Sequence, residues 1–176
     1  MIYEFKGKSP KIDPSAYVSE NACIVGDVEI GPRCYIGPFA VIRGDAVKIV
    51  IEEESAIEDC VVIHAGGPID SVRIGRRVTV GHAATVHASL VDDGANIGMG
   101  AVLSLFSEIG EYAVVGECAL VKKGQKIPPK VVVGGVPAKP LRPLEDKDIA
   151  LWEASKDHYV SLAAAYLAPG NLKRLD

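Results

Sequence analysis

Three of the chain's four histidines, His64, His82 and His87, fall close together, two of them inside the stretch Gly-His-Ala-Ala-Thr-Val-His-Ala at residues 81–88. Imidazoles are ordinary ligands of borderline divalent cations. Three of them leave one coordination position open, the arrangement of a catalytic zinc, and one that also suits iron or cobalt. Such a cation lowers the pKa of a bound water from about 15.7 toward about 7, which supplies hydroxide at neutral pH. A lone surface histidine carries no such meaning, and His158 reads as an exposed residue of a helix. The grouping of the other three raises the expectation of a metal centre.

The elements that must position them are written in a six-residue period. A branched aliphatic recurs at Ile12, Val18, Ile24, Ile30, Ile36 and Ile42, restarts at Ile51, Ile57 and Ile63 and again at Ile74, Val80 and Val86, then runs from Val91 to Val133. Small residues such as Ala22, Ala40, Ala84, Ala101 and Ala119 stand four places after these positions, and glycine often follows the aliphatic directly, as at Gly37, Gly81 and Gly98. A six-residue period is neither helical nor a plain strand alternation. It suits a short strand and a corner, three such units closing one triangular coil with the aliphatic pointing inward. A β-sandwich would show strands about eight to twelve residues apart and irregular loops instead. The period predicts about seven coils, a prism roughly 30 Å tall at the ordinary strand separation.

Breaks in phase predict loops at Asp45–Val50 and Gly66–Ser71, and a one-residue deletion follows His87. After Val133 the segment Gly-Gly-Val-Pro-Ala-Lys-Pro, residues 134–140, is expected to leave the prism. A helix is predicted from about Glu145 to Leu167, acidic at its start and closed by Pro169-Gly170, with Ile149, Trp152, Tyr159, Ala163 and Tyr166 on one face. That face is expected to pack along the prism wall or onto a neighbouring subunit. The organisation read from this is a β-helix over 1–140 and a helical segment over 141–176, one domain overall.

The same phase separates the histidines. His64 follows Ile63 and His87 follows Val86, each the third aliphatic of its coil, so these two stack on adjacent coils. His82 comes two places after Val80, on the preceding corner. Five residues of extended chain reach up to ~17 Å, so one chain offers only two of the three imidazoles to one ion. A three-fold oligomer resolves this by bringing His82 of one subunit to the His64 and His87 pair of its neighbour.

Composition excludes several other classes. With 176 residues, 48% of them hydrophobic, the chain suits a single domain with a sizeable core. A formal net charge of −4 provides no basic stripe for nucleic acid or an anionic membrane surface. No apolar run approaches the ~20 residues that span a bilayer. The start, Met-Ile-Tyr-Glu-Phe-Lys, lacks a basic region followed by an apolar core, and the expected location is cytoplasmic. Cys23, Cys34, Cys60 and Cys118 form no C-x-x-C pair and read as buried free thiols rather than a zinc knot or redox motif.

The six-residue lattice resembles the hexapeptide-repeat proteins, which implies a left-handed parallel β-helix. Longer words sharpen the likeness: Val-Ile-Arg-Gly-Asp at 41–45, Glu-Asp-Cys-Val-Val-Ile-His at 58–64, Val-Gly-His-Ala-Ala-Thr-Val-His at 80–87, Ile-Gly-Met-Gly-Ala at 97–101 and Gly-Val-Pro-Ala-Lys at 135–139. In order, over residues 10–140, they resemble the γ-class carbonic anhydrases and their relatives, although the last word is shared with hexapeptide acyltransferases. The resemblance implies a homotrimer with Zn2+, Fe2+ or Co2+ at each interface, held by His64, His82 and His87, two from one chain and one from the next. It implies that Arg43, Asp45 and Asp59 form a charged cluster bracing the interface, and that Tyr159 supplies a hydroxyl near the site, core or interface packing being its alternative role.

Several positions depart from the family pattern. Glu58 stands where a water-orienting glutamine is usual, and Ala56 where an asparagine is. Gly67 and Ala46 stand where proton-shuttling glutamates occur in some members. The activity implied is reversible hydration of carbon dioxide to bicarbonate, slowed at proton export by the missing glutamates. Two alternatives remain open. One is thioester hydrolysis or acyl transfer on coenzyme A, with Lys122, Lys123, Lys126 and Lys139 as candidate nucleotide contacts; the other is a non-catalytic metal-bearing assembly subunit.

Overall fold

The chain winds into a triangular prism because each aliphatic of the six-residue period lands inside it. Ile24, Ile42, Ile63, Val86, Leu103 and Val121 stack as one inward column, all fully buried. Burying one such side chain contributes roughly 1.5–3 kcal/mol, so a column of this kind organises the coil. The computed structural model describes residues 1–69, 71–87 and 90–175. The deletion expected after His87 falls on residues 88 and 89, outside them.

Three walls enclose the core. The first, hereafter the helix wall, is built from Tyr17–Val18, Tyr35–Ile36, Ala56–Ile57, Thr79–Val80, Asn96–Ile97, Val114–Val115 and Val131–Gly134, all parallel. The second, the histidine wall, carries Val62–His64, Thr85–His87, Val102–Leu103 and Leu120–Val121. The third carries Ser71–Ile74, Leu90–Val91, Glu108–Ile109 and Lys126–Ile127. Two long strands, Cys23–Ile30 and Val41–Ile51, run through the corner between the second and third walls and join them into one 12-stranded sheet. The result is a left-handed parallel β-helix of about seven turns with one C-terminal helix.

The corners are set by single residues in the left-handed backbone region. Cys60, Ala83, Phe106, Tyr112 and Cys118 sit there at φ of 54–61°, and Gly94, Gly100 and Gly124 keep the same six-residue spacing at φ of 67–71°. A non-glycine residue in this region costs about 1–2 kcal/mol. The parallel hydrogen-bond ladder on either side offsets that cost. Gly81 is needed for a different reason: a Cβ there would lie 2.9 Å from the carbonyl oxygen of Ile97 and from the Met99 amide nitrogen.

Two expectations change. The phase break at Asp45–Val50 is not a separate loop but lies within the 11-residue strand Val41–Ile51. Gly26 still pairs with Gly44 while Val28 pairs with Ile49, so the surplus residues are absorbed as a bulge in a continuous strand. Gly44 permits it, since a Cβ there would meet the Asp27 carbonyl oxygen at 2.4 Å. Nor does the chain leave the prism after Val133. It reverses, and Lys139–Pro143 adds an antiparallel strand to the helix wall, running past residue 140.

The helix, α1, spans Asp146–Leu167 and opens with a reciprocal cap between Glu145 and Asp148. It lies against the helix wall. Tyr166 stacks on Tyr17 with centroids 4.5 Å apart, and Tyr159 packs on Tyr35 at 5.3 Å. Arg77, on a prism corner, reaches Glu54 at 2.7 Å and the helix residues Glu153 and Asp157 at 2.7 and 2.8 Å. No helix among the described residues is long and apolar enough to cross a membrane.

Candidate metal centre

His64 and His87 end adjacent strands of the histidine wall and are direct register partners, with ring centroids 5.6 Å apart. Arg43 is the register partner of His64 on its other side, so the three side chains form one row at the edge of the wall. The Arg43 guanidinium bonds Asp45 at 2.8 Å. The other oxygen of Asp45, Oδ1, lies 3.3 Å from Nε2 of His64, yet it is buried and forms no aligned hydrogen bond. Burial, and after it the Arg43 charge, holds the His64 imidazole below its ordinary pKa, so the ring is neutral at neutral pH and has a lone pair to give.

His82 sits elsewhere, at the corner between the helix wall and the histidine wall. Oε2 of Glu58 accepts a hydrogen bond from the His82 backbone N–H at 3.0 Å and lies 3.1 Å from its Nε2. Asp59 approaches Nδ1 of the same ring at 3.5 Å. Gly37 makes room for this cradle, because a Cβ there would lie 2.5 Å from Oδ1 of Asp59. Tyr159, brought in by α1, lines the same cleft as Glu58, which is itself buried. Burial, and after it the nearby Glu58 carboxylate, pushes the Tyr159 phenol well above its ordinary pKa and keeps its proton on the oxygen.

The chain therefore carries two separate clusters. His64, His87, Arg43 and Asp45 form the first; His82, Glu58, Asp59 and Tyr159 form the second. Asp59 contacts His82 rather than the Arg43–Asp45 pair with which it is grouped in sequence. The described residues contain no group of three side chains placed to hold one metal ion. The donor chemistry nevertheless fits a divalent cation: two stacked imidazoles, one held neutral, beside a buried carboxylate oxygen with no aligned partner. His82 does not join these two within the chain.

Behind Glu58 and His82, between the helix wall and α1, lies a cleft of about 440 Å³ that also reaches Thr79, Asn96 and Trp152. Thr79 and Asn96 are not singled out by any sequence motif. Their signal is positional: they interrupt a column that otherwise reads Tyr17, Tyr35, Ala56, Val114 and Val132.

A prism of this kind with imidazoles at its edge defines a class, and comparison with known proteins places the chain within it. The family described as bacterial transferase hexapeptide (six repeats) matches residues 7–44. Gamma carbonic anhydrase 2, mitochondrial, of Arabidopsis thaliana is 37% identical over 161 residues, 89% of this chain and 58% of that protein. The chain thus spans less than two thirds of that plant relative's length. Carnitine operon protein CaiE of a Proteus species is 32% identical over 148 residues, 84% of this chain and 75% of that protein. A crystal structure of a putative acetyltransferase from Bacillus cereus superposes with a TM-score of 0.91 at 35% identity, covering 94% of this chain and 96% of that one. The chain belongs to the hexapeptide-repeat proteins, within the group that resembles γ-class carbonic anhydrases.

Proposed function

We propose that this chain is a γ-carbonic-anhydrase-like enzyme that hydrates carbon dioxide reversibly at metal sites shared between the subunits of a homotrimer. The observation that carries the reading is the division of the histidines: His64 and His87 in register at one edge, His82 on a separate corner with its own carboxylate support. His64 and His87 of one subunit, with His82 of the next, would hold Zn2+, Fe2+ or Co2+. Bound there, the cation supplies hydroxide at neutral pH and polarises the substrate.

The chain's own residues do the rest. Asp45 faces His64 at 3.3 Å with its negative charge beside the ring, and Arg43 holds Asp45 in place. Glu58 accepts from the His82 backbone, which aims the remaining carboxylate lone pairs; these accept a hydrogen bond from the attacking water and orient it. A glutamine in this place would donate as well as accept, so Glu58 leaves the water with acceptors only. Ala46 and Gly67 carry no titratable group where a proton would have to leave. Turnover is therefore limited by proton export and rises with buffer concentration.

Stopped-flow carbon dioxide hydration on zinc-loaded and iron-loaded protein tests the reading, with His82→Ala alongside. Activity that disappears in the variant supports it. A fully loaded oligomer with no rate above buffer overturns it and turns attention to acyl-thioesters, since the Bacillus cereus neighbour bears an acetyltransferase name.

A further inference from the structure

We propose that the end of the prism formed by the last coil and the strand after it docks on a membrane surface rich in anionic lipid. Residues 118–143 hold six of the chain's 19 lysines and arginines and none of its 23 carboxylates. The formal net charge of −4 conceals this segregation. Position concentrates it, because the segment supplies the terminal strand of each wall: Leu120–Val121 of the histidine wall, Lys126–Ile127 of the third wall and Lys139–Pro143 of the helix wall. Lys122 and Lys123 follow the first of these strands, Lys130 stands at the corner after the second, and Lys139 opens the third. All four are exposed, and none forms an ion pair among the described residues. Of the six cations only Lys126 and Arg142 do so, with Glu108 and Asp148.

Two large apolar side chains stand bare among these charges. Val136 is 71% exposed and Leu141 67%. A basic face with exposed aliphatics suits the boundary between headgroups and acyl chains, where cations meet anionic headgroups and aliphatics leave water. Other occupants fit less well. A second copy presenting the same end would bring like charges together. Single-stranded nucleic acid is held by aromatic faces on which bases stack, and residues 118–143 contain no aromatic residue. Pro140 and Pro143 remove backbone donors from the terminal strand, which blunts that edge against strand addition by a partner chain. The face needs no metal and stands independently of the carbon dioxide reading.

Co-sedimentation of the full-length protein with vesicles tests this. Phosphatidylcholine vesicles containing about a third phosphatidylglycerol are expected to capture the protein at low ionic strength, and pure phosphatidylcholine vesicles are not. Capture should be lost near 1 M salt, where the screening length is about 3 Å. A lysine close to such a surface contributes about five-fold in partitioning, so Lys122→Gln combined with Lys123→Gln should weaken capture by about 25-fold. Both side chains are exposed, so this variant should keep the parent's circular dichroism spectrum. Lys11→Gln removes a charge from the first coil, at the opposite end of the prism, and should change capture by less than about two-fold. Val136→Ser combined with Leu141→Ser should weaken it by about ten-fold. Equal capture by pure phosphatidylcholine, no capture by either vesicle, an equal loss in Lys11→Gln and in the Lys122 and Lys123 variant, or binding of polyuridylate without binding of anionic vesicles overturns the proposal.

Discussion

The imidazoles of His64 and His87 are register partners on adjacent coils, their centroids 5.6 Å apart and their planes inclined by 32°. This arrangement follows from the coil itself. Each histidine comes directly after the inward aliphatic of its strand, Ile63 or Val86, and the ladder that aligns those two aliphatics aligns the rings. His82 follows its own aliphatic, Val80, by two residues and so turns onto the corner.

Removing one member of the stacked pair should cost metal affinity without disturbing the prism. His87→Ala is expected to weaken zinc retention by more than about 100-fold, beyond the loss typical of an outer-shell partner. Equilibrium dialysis with zinc, beside a circular dichroism spectrum, checks both halves of the statement. Parent-like zinc retention would remove His87 from the ligand set.

Proton export should respond to a restored carboxylate. Ala46 is exposed and adjoins Asp45, so glutamate fits there without repacking. Ala46→Glu is expected to raise turnover at low buffer concentration by about ten-fold and to flatten its dependence on buffer. Stopped-flow rates across a series of imidazole buffer concentrations provide the measurement.

Much of this was legible in the sequence because it depends on period. The six-residue recurrence gives the coils, the core column and the offset of His82 from the other two histidines. The bulge at Asp45–Val50 was not legible, since surplus residues look the same whether they form a loop or are absorbed in a strand. The choice depends on Gly26 and Gly44 letting two backbones approach. Lys156 was hidden for another reason. A lysine among Glu153 and Asp157 reads as solvated, yet it is 1% exposed and donates to the Gly94 carbonyl at 2.6 Å. Oγ1 of Thr79 and Oδ1 of Asn96 are buried without a partner, which only the packing of the folded chain reveals.

The charge of Lys156 should therefore be dispensable. Its main acceptor, the Gly94 carbonyl, also receives Asn96, and Glu153 is also paired with Arg77. Lys156→Met keeps the volume and leaves neither partner bare, so stability is expected to change by less than about 1 kcal/mol. Lys156→Ala opens a cavity and should cost about 2 kcal/mol or more. Urea denaturation of the two variants distinguishes packing from charge.

Alkaline pH should loosen the helix from the wall. Burial, and after it the charge of Asp59, pushes the Tyr35 phenol from 10.0 up to about 12 in the folded chain. A raised value means that the folded state holds its proton longer than the unfolded state does. The stability this contributes is complete below pH 10 and is lost as pH rises from there through about 12. Thermal midpoints measured from pH 9 to 12 should fall across that window, and Tyr35→Phe should flatten the fall.

The central claim is that each metal site is completed by a second copy of the chain, and co-assembly of two defective chains tests it most directly. His64→Ala and His82→Ala trimers should each retain no zinc. When the two chains are co-expressed, about a quarter of the interfaces join an intact His64 and His87 pair to an intact His82. Those mixed trimers should recover zinc in that proportion, and carbon dioxide hydration with it. Mixed assemblies that bind no more zinc than either parent, while the unaltered protein binds it fully, would contradict a shared site.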